Sequence, residues 1–272
     1  VRIEPGPKFL LSSVELDTGD TALSADAEQA LDRVRTLSPG DAAIPSAILA
    51  EEAGLIAALK AVGYAETSAL PRDVIGDRQN GTLDLTYNLQ PGARVRLGDT
   101  VYSEGTRTRR VYLDRLIPYE PGALYSPQTL SAFARRQNST RLYRFSNVQL
   151  ADAPSRLTEE GDEVRDVVVQ LEERERSTLT SGASFSTSEG PGLTSSLTRR
   201  NATRRGDTLT GAMTLATLER SFAVDWRIPN GTAFDRTLVI SSEIGREETD
   251  AFDREAITVS GAYEVRASRR LT

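Results

Sequence analysis

Two residue types on which many enzymes depend are missing from this chain. Neither cysteine nor histidine occurs among its 272 residues. Their absence excludes thiol nucleophiles, histidine general bases and the usual zinc ligands. The remaining residues form no constellation of nucleophile, base or metal ligands. We therefore expect no catalytic, metal or cofactor site, and no enzymatic activity.

The charged residues form short runs. The run Glu172-Glu173-Arg174-Glu175-Arg176 is compatible with a hinge or with a solvated strand end. The pair Arg199-Arg200 is compatible with contact to lipid headgroups or with a charged turn in water. A net charge of -6 and a pI near 5.0 argue against nucleic acid as a partner.

Apolar and polar side chains alternate along the C-terminal third of the chain. Phe222, Val224, Trp226 and Ile228 share one parity, and the residues between them are small, polar or charged. Side chains of a strand alternate between its two faces, so each such segment has one apolar and one polar face. This pattern fits a transmembrane barrel with a watery interior, and it also fits a soluble antiparallel sandwich. About six strands are predicted, at residues 178–187, 192–199, 208–216, 220–228, 237–245 and 256–266.

The composition excludes a helical membrane protein. Hydrophobic residues make up 38% of the chain and its mean hydropathy is -0.37. No segment approaches the roughly 18 consecutive apolar residues that a spanning helix requires. Barrel strands remain compatible with this composition, because their apolar residues are diluted by alternation.

The first part of the chain contains an internal repeat. Residues 84–89 (Asp-Leu-Thr-Tyr-Asn-Leu) return as residues 166–171 (Asp-Val-Val-Val-Gln-Leu), and Pro39-Gly40 returns at the same offset as Pro121-Gly122. Between these anchors the match slips by one position, which aligns Gly63-Tyr64 with Arg144-Phe145. Since self-similarity of this kind indicates repeated structural units, we predict two copies of one small domain.

Each copy has the same predicted order of elements. In the first copy a strand at residues 9–16 is followed by a helix that Ser24 caps and by a second helix from Pro45 to Val62. Gly63 ends that helix, because glycine enters the left-handed region without strain. Two strands follow at residues 65–75 and 82–89, joined by a turn that contains Asn80-Gly81. The order β-α-α-β-β predicts an α+β unit with two helices on a sheet.

This repeat resembles the polypeptide-transport-associated (POTRA) domain. Residues 120–130 (Glu-Pro-Gly-Ala-Leu-Tyr-Ser-Pro-Gln-Thr-Leu) and 142–148 (Leu-Tyr-Arg-Phe-Ser-Asn-Val) are similar to its second-helix signature. The glycine that usually precedes the aromatic residue is kept in Gly63-Tyr64 and is replaced by Arg144 in the second copy. Residues 201–207 resemble the asparagine-to-glycine link between early strands of the barrel that follows such domains.

The resemblance implies a member of the outer-membrane β-barrel assembly and translocation superfamily, which joins POTRA domains to a surface-antigen barrel. Within it the chain is most similar to the TamA-like branch. We expect α+β POTRA repeats followed by the antiparallel N-terminal strands of an incomplete transmembrane β-barrel. The expected domains are the end of a preceding repeat (1–5), two repeats (6–91 and 92–176) and the truncated barrel (177–272), so the chain is expected to be a fragment.

The function that this resemblance implies is the insertion or secretion of β-barrel or autotransporter-type proteins. The expected location is the outer membrane of a Gram-negative bacterium, with the POTRA domains in the periplasm. Expected partners are unfolded outer-membrane or secreted polypeptides, the lipid bilayer and an inner-membrane-anchored partner of the TamB type. Two alternatives stay open: a soluble periplasmic binding protein with two α+β modules and a β-sandwich, and a two-partner secretion transporter.

Exposed strand edges are the candidate sites for such partners, because an extended polypeptide can add to them through main-chain hydrogen bonds. The candidate edges of the repeats carry Val74 and Ile75 in the first copy and Phe145 and Val148 in the second; packing against a neighbouring repeat is the alternative. The first barrel strand, a candidate weak seam, carries Leu179, Gly182, Ala183 and Phe185, although its small residues also suit an interior wall. Trp226 and Tyr263 suit the bilayer interface, and Trp226 equally suits the middle of a barrel.

Overall fold

The computed structural model describes residues 8–187, 190–248 and 253–265. Its contacts divide the chain into two compact units. The first comprises Val1–Val101, Tyr119–Ala132 and Gln149–Val168, and the second comprises Tyr102–Pro118, Phe133–Val148 and Val169–Thr272. The predicted end of a preceding repeat, residues 1–5, lies outside the described residues.

The first repeat contains two helices and a sheet built around one central strand. Its elements are β1 (Leu10–Asp17), α1 (Ala25–Val34), α2 (Pro45–Ala61), β2 (Ser68–Ala69), β3 (Asp73–Asp77) and β4 (Thr82–Gln90). β1 pairs in parallel with one side of β4, and β2 and β3 pair antiparallel with the other side. The single strand expected at 65–75 is thus two short strands. Pro71 separates them, because proline has no N–H to donate to a ladder.

The core of the first repeat lies between its helices and its sheet. Leu31 from α1 and Leu55 and Leu59 from α2 contact buried residues of β1 and β4, including Leu85 and Tyr87. Burial of each such leucine side chain contributes about 1.5–3 kcal/mol to folding. The apolar alternation of β4 therefore fixes which face of the sheet receives the helices.

The second repeat follows the same order with a much shorter first helix. Its elements are β5 (Val95–Tyr102), α3 (Arg110–Asp114), α4 (Pro127–Ser139), β6 (Tyr143–Leu150), β7 (Arg156–Leu157) and β8 (Glu163–Glu173). Its sheet has the order β5-β8-β6, with β7 also paired to β8. Ser126 caps α4 as predicted, since its Oγ accepts a hydrogen bond from the Thr129 N–H at 3.2 Å. Ser24 stands at the N-cap of α1 without a side-chain cap bond. Within the described residues no helix is long and apolar enough to cross a bilayer.

The exit from the second helix corrects the alignment of the two repeats. Gly63 lies two residues beyond α2 with φ 109°, and Arg141 lies two residues beyond α4 with φ 58°. Arg141, rather than Arg144, therefore replaces the glycine. The buried aromatic residue that follows is Tyr143, which is 3% exposed like Tyr64. The alignment of Gly63-Tyr64 with Arg144-Phe145 was wrong because it assumed one slipped position and ignored this helical exit.

The C-terminal third forms a six-stranded antiparallel sheet in sequential order. Its strands are β9 (Ser177–Ser186), β10 (Gly190–Arg200), β11 (Thr208–Ala216), β12 (Glu219–Pro229), β13 (Arg236–Glu248) and β14 (Asp253–Val265). Cross-strand neighbours share a face, as in the row Met213, Phe222, Ile244 and Ile257. The sheet is open, because β9 and β14 each pair with only one of the described strands.

Candidate functional site

The predicted edge of the first repeat lies on β3. This strand pairs with β4 on one side only among the described strands. Val74 and Ile75 on β3 are 50% and 68% exposed. Asp77 closes the following turn by accepting hydrogen bonds from the N–H groups of Gln79 and Asn80. The turn therefore holds β3 extended while its outer side stays open to another strand.

The predicted edge of the second repeat lies on β6, the terminal strand in the order β5-β8-β6. Phe145 is about half exposed and Val148 is partly buried. Tyr143 at the start of β6 is buried, and its hydroxyl hydrogen-bonds to the Thr108 hydroxyl at 3.3 Å. That burial raises the pKa of Tyr143, so its hydroxyl stays protonated at neutral pH. One end of this edge strand is thus fixed while Phe145 projects outward.

The predicted seam residues lie on β9, which forms one edge of the six-stranded sheet. Leu179 and Phe185 are 69% and 78% exposed, and Gly182 and Ala183 between them are also exposed. On its inner side β9 pairs continuously with β10 from Ser177 to Ser186. On its outer side β9 pairs with no other described strand, which makes it a template for an added strand.

The two predicted interface aromatics occupy different surroundings. Trp226 on β12 is partly buried, and its Nε1 donates a hydrogen bond to Asp207 Oδ2 at 2.9 Å. Tyr263 on β14 is exposed, and its hydroxyl lies 3.3 Å from the Thr232 hydroxyl. Both lie at the end of the sheet that carries the turns 201–207 and 230–235.

These two turns contact the second repeat at the 106–108 loop, Tyr112, Arg115 and Arg136. All of these residues belong to the second compact unit, and we call this contact the junction. Glu173 organises its first side. Glu173 Oε1 accepts hydrogen bonds from the N–H groups of Arg107 and Thr108 at 2.7 and 3.2 Å, and Oε2 accepts one from Arg107 Nε at 2.8 Å. Burial alone would raise the pKa of this carboxyl, but these bonds outweigh it and lower the pKa. An ionised Glu173 therefore fixes the loop at residues 106–108.

The turn 201–207 is folded around the buried residue Asp207. The Asp207 carboxylate accepts hydrogen bonds from the Thr203 N–H and from Trp226, and its carbonyl accepts one from the Asn201 N–H at 2.6 Å. The Asn201 side chain accepts a bond from the Gly206 N–H and donates one to the Thr108 hydroxyl at 2.9 Å. Thr108 thus connects this turn to the loop that Glu173 organises.

Gly206 makes the closest approach in the junction. It has φ 75°, and a β-carbon at this position would lie 2.7 Å from Tyr112 Cε1 and closer still to Cζ. Tyr112 on α3 is 1% exposed, so the ring has no free space into which to move. Burial also raises the pKa of Tyr112. Only glycine satisfies both the left-handed backbone and this contact.

The second turn, 230–235, is held by two arginines. Arg115 donates from Nη1 to the carbonyls of Asn230, at 3.3 Å, and Gly231. Arg136 on α4 lies over the Phe234 ring at 4.3 Å from its centroid and donates to the Ile117 carbonyl at 3.2 Å. Cation–π contacts of this kind contribute about 0.5–2 kcal/mol. The second repeat therefore contacts the six-stranded sheet at both of these turns.

Sequence reasoning missed most of the junction. The run 172–176 suggested a hinge or a solvated strand end, whereas Glu173 is a partly buried acceptor for several donors. The resemblance pointed to residues 201–207 as a link, and the structure adds Tyr112 and Thr108 as their contacts. Nothing in the local sequence of α3 signals that its tyrosine meets a turn almost a hundred residues later.

No known protein-family model matches the sequence. Among solved structures, BamA from Haemophilus ducreyi lacking POTRA domains 1–3 is similar with a TM-score of 0.74 at 15% identity, over 94% of this chain and 47% of that chain. The chain therefore has the fold of that part of BamA and spans about half the length of that structure.

Two further structures match more loosely. CdiB from Acinetobacter baumannii gives a TM-score of 0.45 at 16% identity, over 96% of this chain and 49% of that one. BamA POTRA3-5 from Haemophilus influenzae gives 0.42 at 19% identity, over 61% of each chain.

Proposed function

We propose that this chain belongs to an outer-membrane assembly or translocation factor of the POTRA-and-barrel superfamily. The observation that carries the proposal is the open, two-faced sheet. Its strands are 9 to 13 residues long. Each strand therefore reaches the roughly 9–11 residues that a tilted strand needs to cross a bilayer. The fold that the chain shares with part of BamA supports the same proposal.

The exposed apolar face argues for lipid over water as its surroundings. Phe185, Leu197, Phe222, Ile244 and Ile257 are each at least half exposed. No other described strand or helix covers these side chains, and an apolar face of this size is costly in water. The opposite face carries polar pairs, such as Ser241 to Asp225 at 2.5 Å and Thr198 to Thr210 at 3.3 Å. This asymmetry favours a barrel wall over the soluble sandwich.

The substrates in this proposal are unfolded outer-membrane or secreted polypeptides. An extended segment adds to β3, β6 or β9 by main-chain hydrogen bonds, which tolerate many side-chain sequences. The repeats lie in the periplasm of a Gram-negative bacterium and the sheet lies in its outer membrane. We propose no enzymatic step. A TamA-like role with an inner-membrane-anchored partner is the form that we favour, and two-partner secretion is the second candidate.

Single-cysteine variants test the edges directly, because the chain has no cysteine of its own. We expect Ile75→Cys, Phe145→Cys and Ala183→Cys to form disulfides in cells with an unfolded outer-membrane polypeptide that carries one cysteine in its last strand. Glu28→Cys, exposed on α1 away from any strand edge, is the control. Adducts are quantified on non-reducing gels. Equal adduct yields from Glu28→Cys and the edge variants would contradict docking on the edges.

A further inference from the structure

A small polar cavity lies where β9 begins. It has a volume of about 330 Å³ and is lined by Arg144, Glu173, Arg174, Glu175, Thr178 and Arg200. The lining comes from the start of β6, from the end of β8 and the segment that follows it, from the start of β9 and from the end of β10. The cavity therefore lies beside the first residues of both β6 and β9. All six residues belong to the second compact unit.

Two arginines of this cavity are held in place by protein acceptors. Arg200 donates from Nη1 to Thr178 Oγ1 at 2.8 Å and to the Glu175 carbonyl at 3.3 Å. Arg174 donates from Nε to the Tyr143 carbonyl at 3.0 Å. Each of these bonds uses one nitrogen of a guanidinium group that has three. The other nitrogens can donate to an additional acceptor.

The charges around the cavity favour an anion. Glu173 is paired with Arg107 at 2.8 Å, and Glu172 is paired with Arg144. Arg174 and Arg200 then face the single carboxylate of Glu175, which leaves an excess of positive charge. The chain as a whole carries a net charge of -6. The net negative charge of the chain disfavours association with long polyanions, so a small anionic group is the expected ligand of this cavity.

Strand direction indicates which anion this is. Every pairing in the six-stranded sheet is antiparallel. A strand that adds antiparallel to β9 runs opposite to it, so its C-terminal end lies beside Ser177, next to the cavity. A carboxylate matches the planar fork of an arginine, and two arginines are available there. The cavity is thus placed to receive the end of an added strand.

We propose that Arg174 and Arg200 bind the C-terminal carboxylate of a polypeptide strand that adds to β9, and so fix its direction and register. The main-chain bonds of an edge do not by themselves distinguish one register from another. A charged end held at a fixed point supplies that distinction. This inference rests on the proposed addition of substrate strands to β9.

The test measures binding of a fluorescent peptide to the 272-residue chain in neutral detergent by anisotropy. One peptide has nine alternating residues and a free C-terminus, and its twin is amidated. We expect amidation to weaken binding roughly tenfold at low salt, because a charge-assisted pair is lost. The double variant Arg174→Gln/Arg200→Gln is expected to bind both peptides equally. Arg78→Gln, in an exposed turn of the first repeat, should keep the full difference.

The outcomes separate this inference from the proposed function. Equal binding of both peptides by the native chain overturns the carboxylate site and leaves strand addition standing, whereas failure to bind either peptide overturns both. Arg174→Lys/Arg200→Lys keeps the charge without the fork, so it should retain part of the preference. That result would show that the double glutamine variant loses the preference through its missing charge and not through misfolding. Loss of the preference on adding an anionic phospholipid, but not a zwitterionic one, would assign the cavity to lipid phosphate and overturn the proposal.

Discussion

Gly206→Ala is expected to destabilise the junction by about 2–4 kcal/mol, from overpacking against a buried ring together with a strained left-handed backbone. The new methyl group would overlap the Tyr112 ring, which is 1% exposed and cannot swing aside. The single tryptophan of the chain, Trp226, reports on this region because its indole N–H binds Asp207 next to Gly206. Thermal unfolding in detergent, followed by Trp226 fluorescence, measures the change.

Two glycines provide matched controls for this substitution. Gly105 has φ 94° with nothing within 4 Å of an added β-carbon, so Gly105→Ala isolates the backbone strain, about 1–2 kcal/mol. Gly211 lies in β11 with ordinary φ and open space around it, so Gly211→Ala should change stability by no more than about 0.5 kcal/mol. If Gly206→Ala costs no more than Gly105→Ala, the contact with Tyr112 does not hold the junction.

Glu173→Ala is expected to cost about 2 kcal/mol, because it leaves the donors of the 106–108 loop, including those of the buried Thr108, without an acceptor. The neighbouring variant Glu172→Ala is the control. Glu172 is about half exposed and pairs with the exposed Arg144, so its loss should cost at most about 1 kcal/mol. Trp226 fluorescence again follows unfolding of both variants. Similar costs for the two substitutions would show that Glu173 acts as an ordinary surface charge.

The same carboxylate gives a pH dependence of defined sign. The folded state lowers the pKa of Glu173, so its ionised form stabilises the junction fully above the unfolded pKa of about 4.3. That contribution is lost as the pH falls through the lowered pKa of the folded state. The stability difference between the native chain and Glu173→Gln should therefore shrink as the pH is lowered from 7 towards 3. A difference that stays constant over this range would contradict the assignment.

The sequence predicted the regular parts of the fold because local patterns determine them. Alternation located all six C-terminal strands, and the Ser126-Pro127 start located α4. Sequence reasoning failed where a single residue decides the backbone geometry. Pro71 divides a predicted strand into two, and Arg141, rather than Arg144, takes the place of the glycine and adopts the left-handed conformation.

The junction was beyond sequence reasoning for a different reason. Its contacts join residues far apart in the chain, such as Thr108 with Asn201 and Tyr112 with Gly206. No periodicity or cap signals a contact of that kind. The sequence pattern placed Val74, Ile75, Phe145 and Leu179 on strands, and the structure places those strands at the edges of their sheets. Their role as docking sites stays a prediction.

The location of the six-stranded sheet in the outer membrane is the claim on which the proposed function depends. It is tested most directly by fractionating cells that express the full-length gene product. We predict that the protein sediments with the outer membrane, resists carbonate extraction, requires detergent for release and migrates differently on gels when it is left unheated. Recovery as a detergent-free protein in the periplasmic extract would contradict the barrel and support the soluble sandwich instead.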